Sequence, residues 1–178
     1  MKMLFSGGCK NGKSTLAEDC ARALAKGGPL YYLATMIPRD EEDRERIRRH
    51  VASRAGKGFE TVECGLGILD CLDQMEPGGA FLLDSVTALL SNEMFFRNGM
   101  DMSAGERVAA ELSELCERCE NAVFVSDFIY ADSRSYDEYS EAYRAALALC
   151  DRTLAEKCDT VVEICLGQPL IYKGGMPL

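Results

Sequence analysis

Short apolar runs recur along the chain at Met3–Ser6, Leu30–Ala34, Thr61–Glu63, Ala80–Asp84, Ala122–Ser126, Thr160–Cys165 and Pro169–Tyr172. Between them, apolar positions fall three and four residues apart, which predicts helices over Lys13–Ala25, Glu41–Ala52, Ile68–Met75, Val86–Phe95, Ala104–Arg118 and Asp137–Lys157. Leu16, Ala17, Cys20, Ala21 and Leu24 illustrate the period. Strands alternating with helices predict a mostly parallel sheet covered on both faces. Phe81-Leu82-Leu83 and Ala122-Val123-Phe124-Val125 are apolar throughout, as strands buried on both sides must be. Ligands of such folds lie at the carboxyl ends of the strands, so polar residues there are the first to weigh.

The first strand runs into Gly7-Gly8-Cys9-Lys10-Asn11-Gly12-Lys13-Ser14-Thr15, which fits the pattern G-x-x-x-x-G-K-[ST] of a phosphate-binding loop. Glycine reaches positive φ without a steric penalty, so the backbone can curl until successive N–H groups point at one anion. The helix that follows adds its unpaired N–H groups and its dipole. Lys13 is placed to reach the β- and γ-phosphates, and the Ser14 hydroxyl to ligate Mg²⁺. The fold class is therefore α/β of the P-loop NTPase type: three layers, a mostly parallel sheet flanked by helices.

Asp84 ends a buried strand, where a carboxylate would hold Mg²⁺ beside the loop; capping of the next helix is the structural alternative. The segment Arg39–His50 carries its acids first and its bases last, in keeping with a helix dipole, and Ile47 is nearly its sole apolar residue. Such a helix is ordinarily a solvated face. It ends, however, in His50, the single histidine of the chain, with Arg46 and Arg54 four residues to either side. An imidazole flanked by guanidinium groups suits nucleophilic attack on phosphorus.

The length of 178 residues suits one domain, 1–178. A net charge of −9 argues against nucleic acid or an anionic membrane surface as partner. The chain shows no leader peptide and no apolar run of membrane-spanning length, which predicts a cytoplasmic protein. Nine cysteines, an odd number scattered through predicted elements, fit reduced thiols better than a disulfide framework. Cys116 and Cys119 form a lone C-x-x-C, too few ligands for zinc.

The order Gly-Gly-x4-Gly-Lys-Ser, Leu-Ala-Thr35, Arg46-Ile-x-x-His50, Thr-Val-Glu63, Leu-Leu-Asp84-x-x-Thr87 and Asn92 resembles the bifunctional adenosylcobinamide kinase / adenosylcobinamide-phosphate guanylyltransferase family of cobalamin biosynthesis. The likeness is clearest over residues 1 to 95. It implies phosphorylation of the aminopropanol hydroxyl of adenosylcobinamide by a nucleoside triphosphate such as ATP. Transfer of GMP from GTP then gives adenosylcobinamide-GDP through a guanylyl-histidine, and His50 holds that position. The resemblance also implies that Thr35, Met36 and Ile37 form a nucleotide-contacting turn. Val51, Ala52, Ser53, Arg54, Glu63 and Asp84 match positions that contact the guanylyl group or the metal. Members are cytosolic homotrimers of P-loop fold.

Two segments depart from the family pattern. Ser126-Asp127-Phe128-Ile129-Tyr130 stands where Asn-Glu-Val-Gly is usual, and Ala148-Leu149-Cys150-Asp151-Arg152 where Gly-Arg-x-Asn-Gln is usual. Asp127, at a strand end, is read as a metal ligand or general base, or as a cap or turn residue. Tyr130, Tyr136, Tyr139 and Tyr143 read as a buried helix stripe before a corrinoid-binding or subunit surface, and Met94, Phe95 and Phe96 read as core. Two other functions remain open at the level of sequence: a kinase acting on another small alcohol, with His50 a bystander, and a GTP-binding regulator. Against the regulator, the chain has no Asn-Lys-x-Asp motif.

Overall fold

The computed structural model describes residues 1–76, 78–96 and 99–178. In chain order the elements are β1 (Lys2–Gly7), α1 (Lys13–Ala25), β2 (Leu30–Ala34), α2 (Glu41–Arg54), β3 (Glu60–Glu63), a 3₁₀ helix (Ile68–Gln74), β4 (Ala80–Asp84), α3 (Val86–Phe95), α4 (Ala104–Arg118), β5 (Asn121–Val125), α5 (Glu138–Lys157), β6 (Thr160–Cys165) and β7 (Gln168–Lys173). One seven-stranded sheet has the order β3-β2-β4-β5-β1-β6-β7. All pairs are parallel except β6 with β7, a hairpin whose second strand is exposed at every residue.

Alternation along the strands sends side chains to two cores. Leu4, Leu33, Phe81, Leu83 and Phe124 pack with α3, α4 and α5 on one face. Met3, Phe5, Tyr32, Leu82 and Val125 pack with Ala17, Cys20, Ala21 and Leu24 of α1 on the other. Both faces of the central strands are thus removed from water, which explains their unbroken apolar sequence. The helix α2 lies off this body, with Arg54 its one buried residue.

Two expectations are corrected. The segment Ile68–Gln74 is a 3₁₀ helix rather than an α-helix. Its buried residues, Ile68 and Cys71, are three apart, the spacing that a 3₁₀ turn brings to one side. Cys64 and Cys71 are joined in a disulfide, so two of the nine cysteines are not free thiols. Spacing did not reveal the pair because the turn at Gly65–Gly67, not a helix face, brings the two together.

Candidate functional site

Parallel register sets Glu63, Ala34, Asp84, Val125 and Phe5 in one row across the sheet. The row marks the carboxyl edge, and the phosphate loop leaves β1 just beyond it. Gly7 has φ +145°, and a Cβ there would stand 2.6 Å from both Asn11 Nδ2 and Ile164 O. Only glycine fits, because the Asn11 amide closes in to donate to Ile164 O at 2.6 Å and ties the loop to β6. Gly12, at φ +91°, turns the chain into α1. Gly8, Cys9, Lys10, Gly12 and Thr15 are exposed and Ser14 half-exposed, so the loop's backbone faces outward where an anion can reach it.

Lys13 is buried and folds back over the loop, donating to Gly8 O at 2.7 Å. It also pairs with Asp127 Oδ1 at 2.9 Å. Asp127, open to two readings in the sequence, here lies against the loop. Its main-chain N–H donates to Thr87 Oγ1 at 2.9 Å, and the next amide, of Phe128, donates to Gly7 O at 3.1 Å.

Asp84 is half-buried at the end of β4 and accepts from the Tyr32 hydroxyl at 3.0 Å. Helix capping belongs instead to Ser85, whose hydroxyl accepts from Ala88 N–H. That leaves Asp84 free of the structural role. Burial, and then the Asp84 charge, push the Tyr32 phenol well above its ordinary pKa, so it remains a donor. The Arg54 guanidinium lies 3.3 Å over the Tyr32 ring, with Nη1 buried and unpartnered among the described residues. Asp84, Tyr32 and Arg54 therefore connect β4 to the end of α2.

Thr35 is fully buried and exchanges two hydrogen bonds with Ser85, one to each main-chain group, at 2.7 and 2.8 Å. Asn92 donates to Thr35 O at 2.7 Å and Gly65 O at 2.9 Å, holding the turns after β2 and β3 together. Ile37 packs against Gly65, and Met36 precedes it in the same turn. Glu63 is exposed on the edge strand, as are Val51, Ala52 and Ser53 on α2. His50 is half-buried one turn before Arg54, and its imidazole has no hydrogen-bond partner among the described residues. Lys57 pairs with buried Glu18 of α1, fixing the chain just after α2. The structure thus gathers Lys13, Asp84 and the loop, and approaches them with the C-terminal end of α2; among the described residues no bond joins His50 to the loop.

A cleft of about 320 Å³ is lined by Phe95, Ile129, Tyr136, Tyr139, Tyr143 and Arg144. This corrects the buried-stripe reading: Tyr136 and Tyr139 are 42% and 50% exposed. Tyr136 precedes α5 and Tyr139 lies in its first turn, and the Arg144 guanidinium stands 4.9 Å over the Tyr136 ring. Phe96 is likewise exposed, under the Arg39 guanidinium at 4.2 Å, whereas Met94 is core as expected. The Tyr143 hydroxyl donates to Thr87 O at 2.8 Å, so one residue holds both the cleft wall and Asp127. Behind them the Tyr130 hydroxyl donates to Asp151 at 2.9 Å. Burial raises the Asp151 carboxyl to about 6, opposed by the Ser126 and Tyr130 hydroxyls.

No group of three or more His, Cys, Asp or Glu is preassembled for a metal among the described residues. A divalent ion at this site would draw on Ser14, the oxygen of Asp84 not engaged by Tyr32, and oxygens of a bound nucleotide, as Mg²⁺ sites do. No helix among the described residues is long and apolar enough to cross a membrane.

A family model described as cobinamide kinase / cobinamide phosphate guanyltransferase matches residues 3–171. No curated protein matches the chain. Among solved structures, the ATPase domain of another protein is similar with a TM-score of 0.55 at 10% identity, over 97% of this chain and 76% of that one. A protein studied as Project ID PH0250 from Pyrococcus horikoshii OT3 is similar with a TM-score of 0.52 at 12% identity, over 97% and 86%. At such identities the likeness is one of fold alone.

Proposed function

The chain belongs to the cobinamide kinase / cobinamide phosphate guanyltransferase family, and we propose that it phosphorylates adenosylcobinamide and transfers GMP to the product through His50. The loop amides from Gly7 to Thr15 and the Lys13 ammonium hold the nucleotide phosphates. Ser14 and Asp84 would hold Mg²⁺, which when bound would neutralise phosphate charge and orient the oxygens around phosphorus.

In the kinase step the acceptor oxygen bonds to the γ-phosphorus of ATP and gives up its proton to a base, the bond to the bridging oxygen breaks, and ADP leaves with the electron pair. In the second step an imidazole nitrogen of His50 donates its lone pair to the α-phosphorus of GTP. The bond from that phosphorus to the β-phosphate oxygen breaks, and pyrophosphate leaves with the electron pair. An oxygen of the phosphorylated acceptor then displaces His50 and forms adenosylcobinamide-GDP.

The observation that carries the reading is the chain Asp84–Tyr32–Arg54. It brings the end of α2, one turn past His50, to the strand end expected to hold the metal. Arg54 Nη1, unpartnered among the described residues, is a donor for a phosphate oxygen, and Val51, Ala52, Ser53 and Glu63 are assigned to the guanylyl group from the family resemblance. Thr35, Met36 and Ile37 form the turn beneath the nucleotide. The aromatic cleft supports a large, flat acceptor, since tyrosine faces stack on extended rings. We read the protein as one domain working in the cytoplasm as a homotrimer, which sedimentation would test.

The mechanism is tested by intact-mass measurement after incubation with Mg²⁺ and GTP labelled at the α-phosphate. An acid-labile adduct of one GMP, absent in His50→Ala, is the expected result. No adduct under conditions where GTP binds would remove the transferase step.

A further inference from the structure

Asp127 follows β5, which lies between β1, the strand that leads into the loop, and β4, the strand that ends in Asp84. Three contacts fix it. Its Oδ1 accepts from Lys13 of α1, its N–H donates to Thr87 of α3, and the following amide donates to Gly7. The other oxygen, Oδ2, has no hydrogen-bond partner among the described residues. Tyr143, bonded to the same Thr87, forms the cleft wall beside it. A carboxylate thus pairs with the loop lysine and is tied through Thr87 to Tyr143 of the cleft wall, with one oxygen uncommitted among the described residues.

We infer that Asp127 is the base of the kinase step. This rests on the reading that the chain phosphorylates a hydroxyl-bearing acceptor. Lys13 holds the carboxylate until a triphosphate competes for the ammonium, whereupon Asp127 turns to the acceptor. The acceptor hydroxyl gives its proton to Asp127 as its oxygen bonds to the γ-phosphorus. The bond between that phosphorus and the bridging oxygen breaks, and the diphosphate leaves with the electron pair. Asp127 then releases its proton to water. Charged and titratable groups that act with Asp127 are Lys13 from α1 and Tyr143 and Asp151 from α5. Tyr143 is held neutral by burial first and by Asp127 second, so it adds no competing charge. The same ion pair makes a second consequence: a neutral residue at 127 leaves Lys13 free for the nucleotide.

The test compares wild type with Asp127→Asn and Asp127→Glu, using ATP and adenosylcobinamide in single turnovers. ATP affinity and melting temperature are measured alongside. Asp127→Asn is expected to lower the phosphoryl-transfer rate roughly 10²- to 10⁴-fold and to bind ATP no more weakly. Asp127→Glu, which restores a carboxylate, is expected to regain part of the rate. An Asn variant that keeps the wild-type rate overturns the inference. If the wild type phosphorylates no adenosylcobinamide, the reading of the acceptor fails instead. The same comparison is then run on hydrolysis of ATP by water, where a slower rate in Asp127→Asn that Asp127→Glu partly restores supports the base and an unchanged rate overturns it.

Discussion

The guanidinium of Arg54 rests 3.3 Å above the ring of Tyr32, and that ring's hydroxyl donates to Asp84. A helix with almost no apolar surface is thereby attached to the sheet at one point, where the chemistry is expected. Arg54 is neither a free surface charge nor merely a neighbour of His50. It couples the placement of α2 to the end of β4, where the metal is expected.

Arg54→Ala should slow formation of the guanylyl adduct by roughly 5- to 30-fold, the equivalent of a stacked cation worth about 1–2 kcal/mol. Arg54→Lys should recover little, because a lysine keeps the charge and loses the planar stack. The rate of label incorporation from GTP reads this directly. Wild-type rates in Arg54→Ala would show that the stack does not position His50.

Lys13→Ala removes the ammonium expected to meet the phosphates and leaves Asp127 without its partner. Both half-reactions should fall by at least roughly 10²-fold, the scale of losing one preorganised electrostatic contact. Separate assays of kinase and guanylyl transfer check it. A loss confined to one half-reaction would mean that the two do not share the loop.

Tyr139→Ala opens one wall of the aromatic cleft without touching the loop. The acceptor KM should rise roughly 3- to 10-fold, the value of one aromatic contact, with ATP affinity unchanged. Steady-state kinetics with each substrate varied distinguishes the two. An unaltered acceptor KM would place the acceptor elsewhere.

Burial holds the Asp151 carboxyl at about 6 rather than at its ordinary 3.8. A carboxyl whose pKa is raised by folding binds its proton more tightly in the native state. It therefore favours folding below about pH 4, and that advantage disappears as pH rises through about 6, a swing of about 3 kcal/mol. Asp151→Asn cannot ionise and still accepts from Tyr130. Its melting temperature should exceed wild type by several degrees at pH 8, at roughly 2–4 °C per kcal/mol, and by little at pH 4. Thermal unfolding at the two pH values measures the difference.

Much of this was legible in the chain. The runs Ala80–Asp84 and Leu30–Ala34 and the helices Lys13–Ala25 and Val86–Phe95 appear where their periodicity put them, because burial on one or two faces dictates those patterns. The loop from Gly7 to Ser14 was legible because its backbone path demands glycine at fixed places. The Lys13–Asp127 pair, 114 residues apart in sequence, was not, since no local pattern encodes a contact made by strand order. Nor was the exposure of Tyr136 and Tyr139. A spacing shows that residues share a side, and what covers that side depends on other parts of the chain. Arg54 stood out in the sequence for its spacing from His50, but its stack on Tyr32 did not, since that ring belongs to a strand that reads simply as apolar.

The hydrogen bond from Tyr130 to Asp151 joins the two segments that depart from the family pattern. In terms of descent, the two segments are expected to change together. A chimera that takes residues 126–130 from a more typical relative and keeps this chain's α5 strands a buried acid without its phenol. The reverse exchange leaves a phenol without its acceptor. Crossovers falling between residues 130 and 151 separate the partners, whereas those outside carry them together. Relatives that carry Tyr130 should therefore carry Asp151 as well.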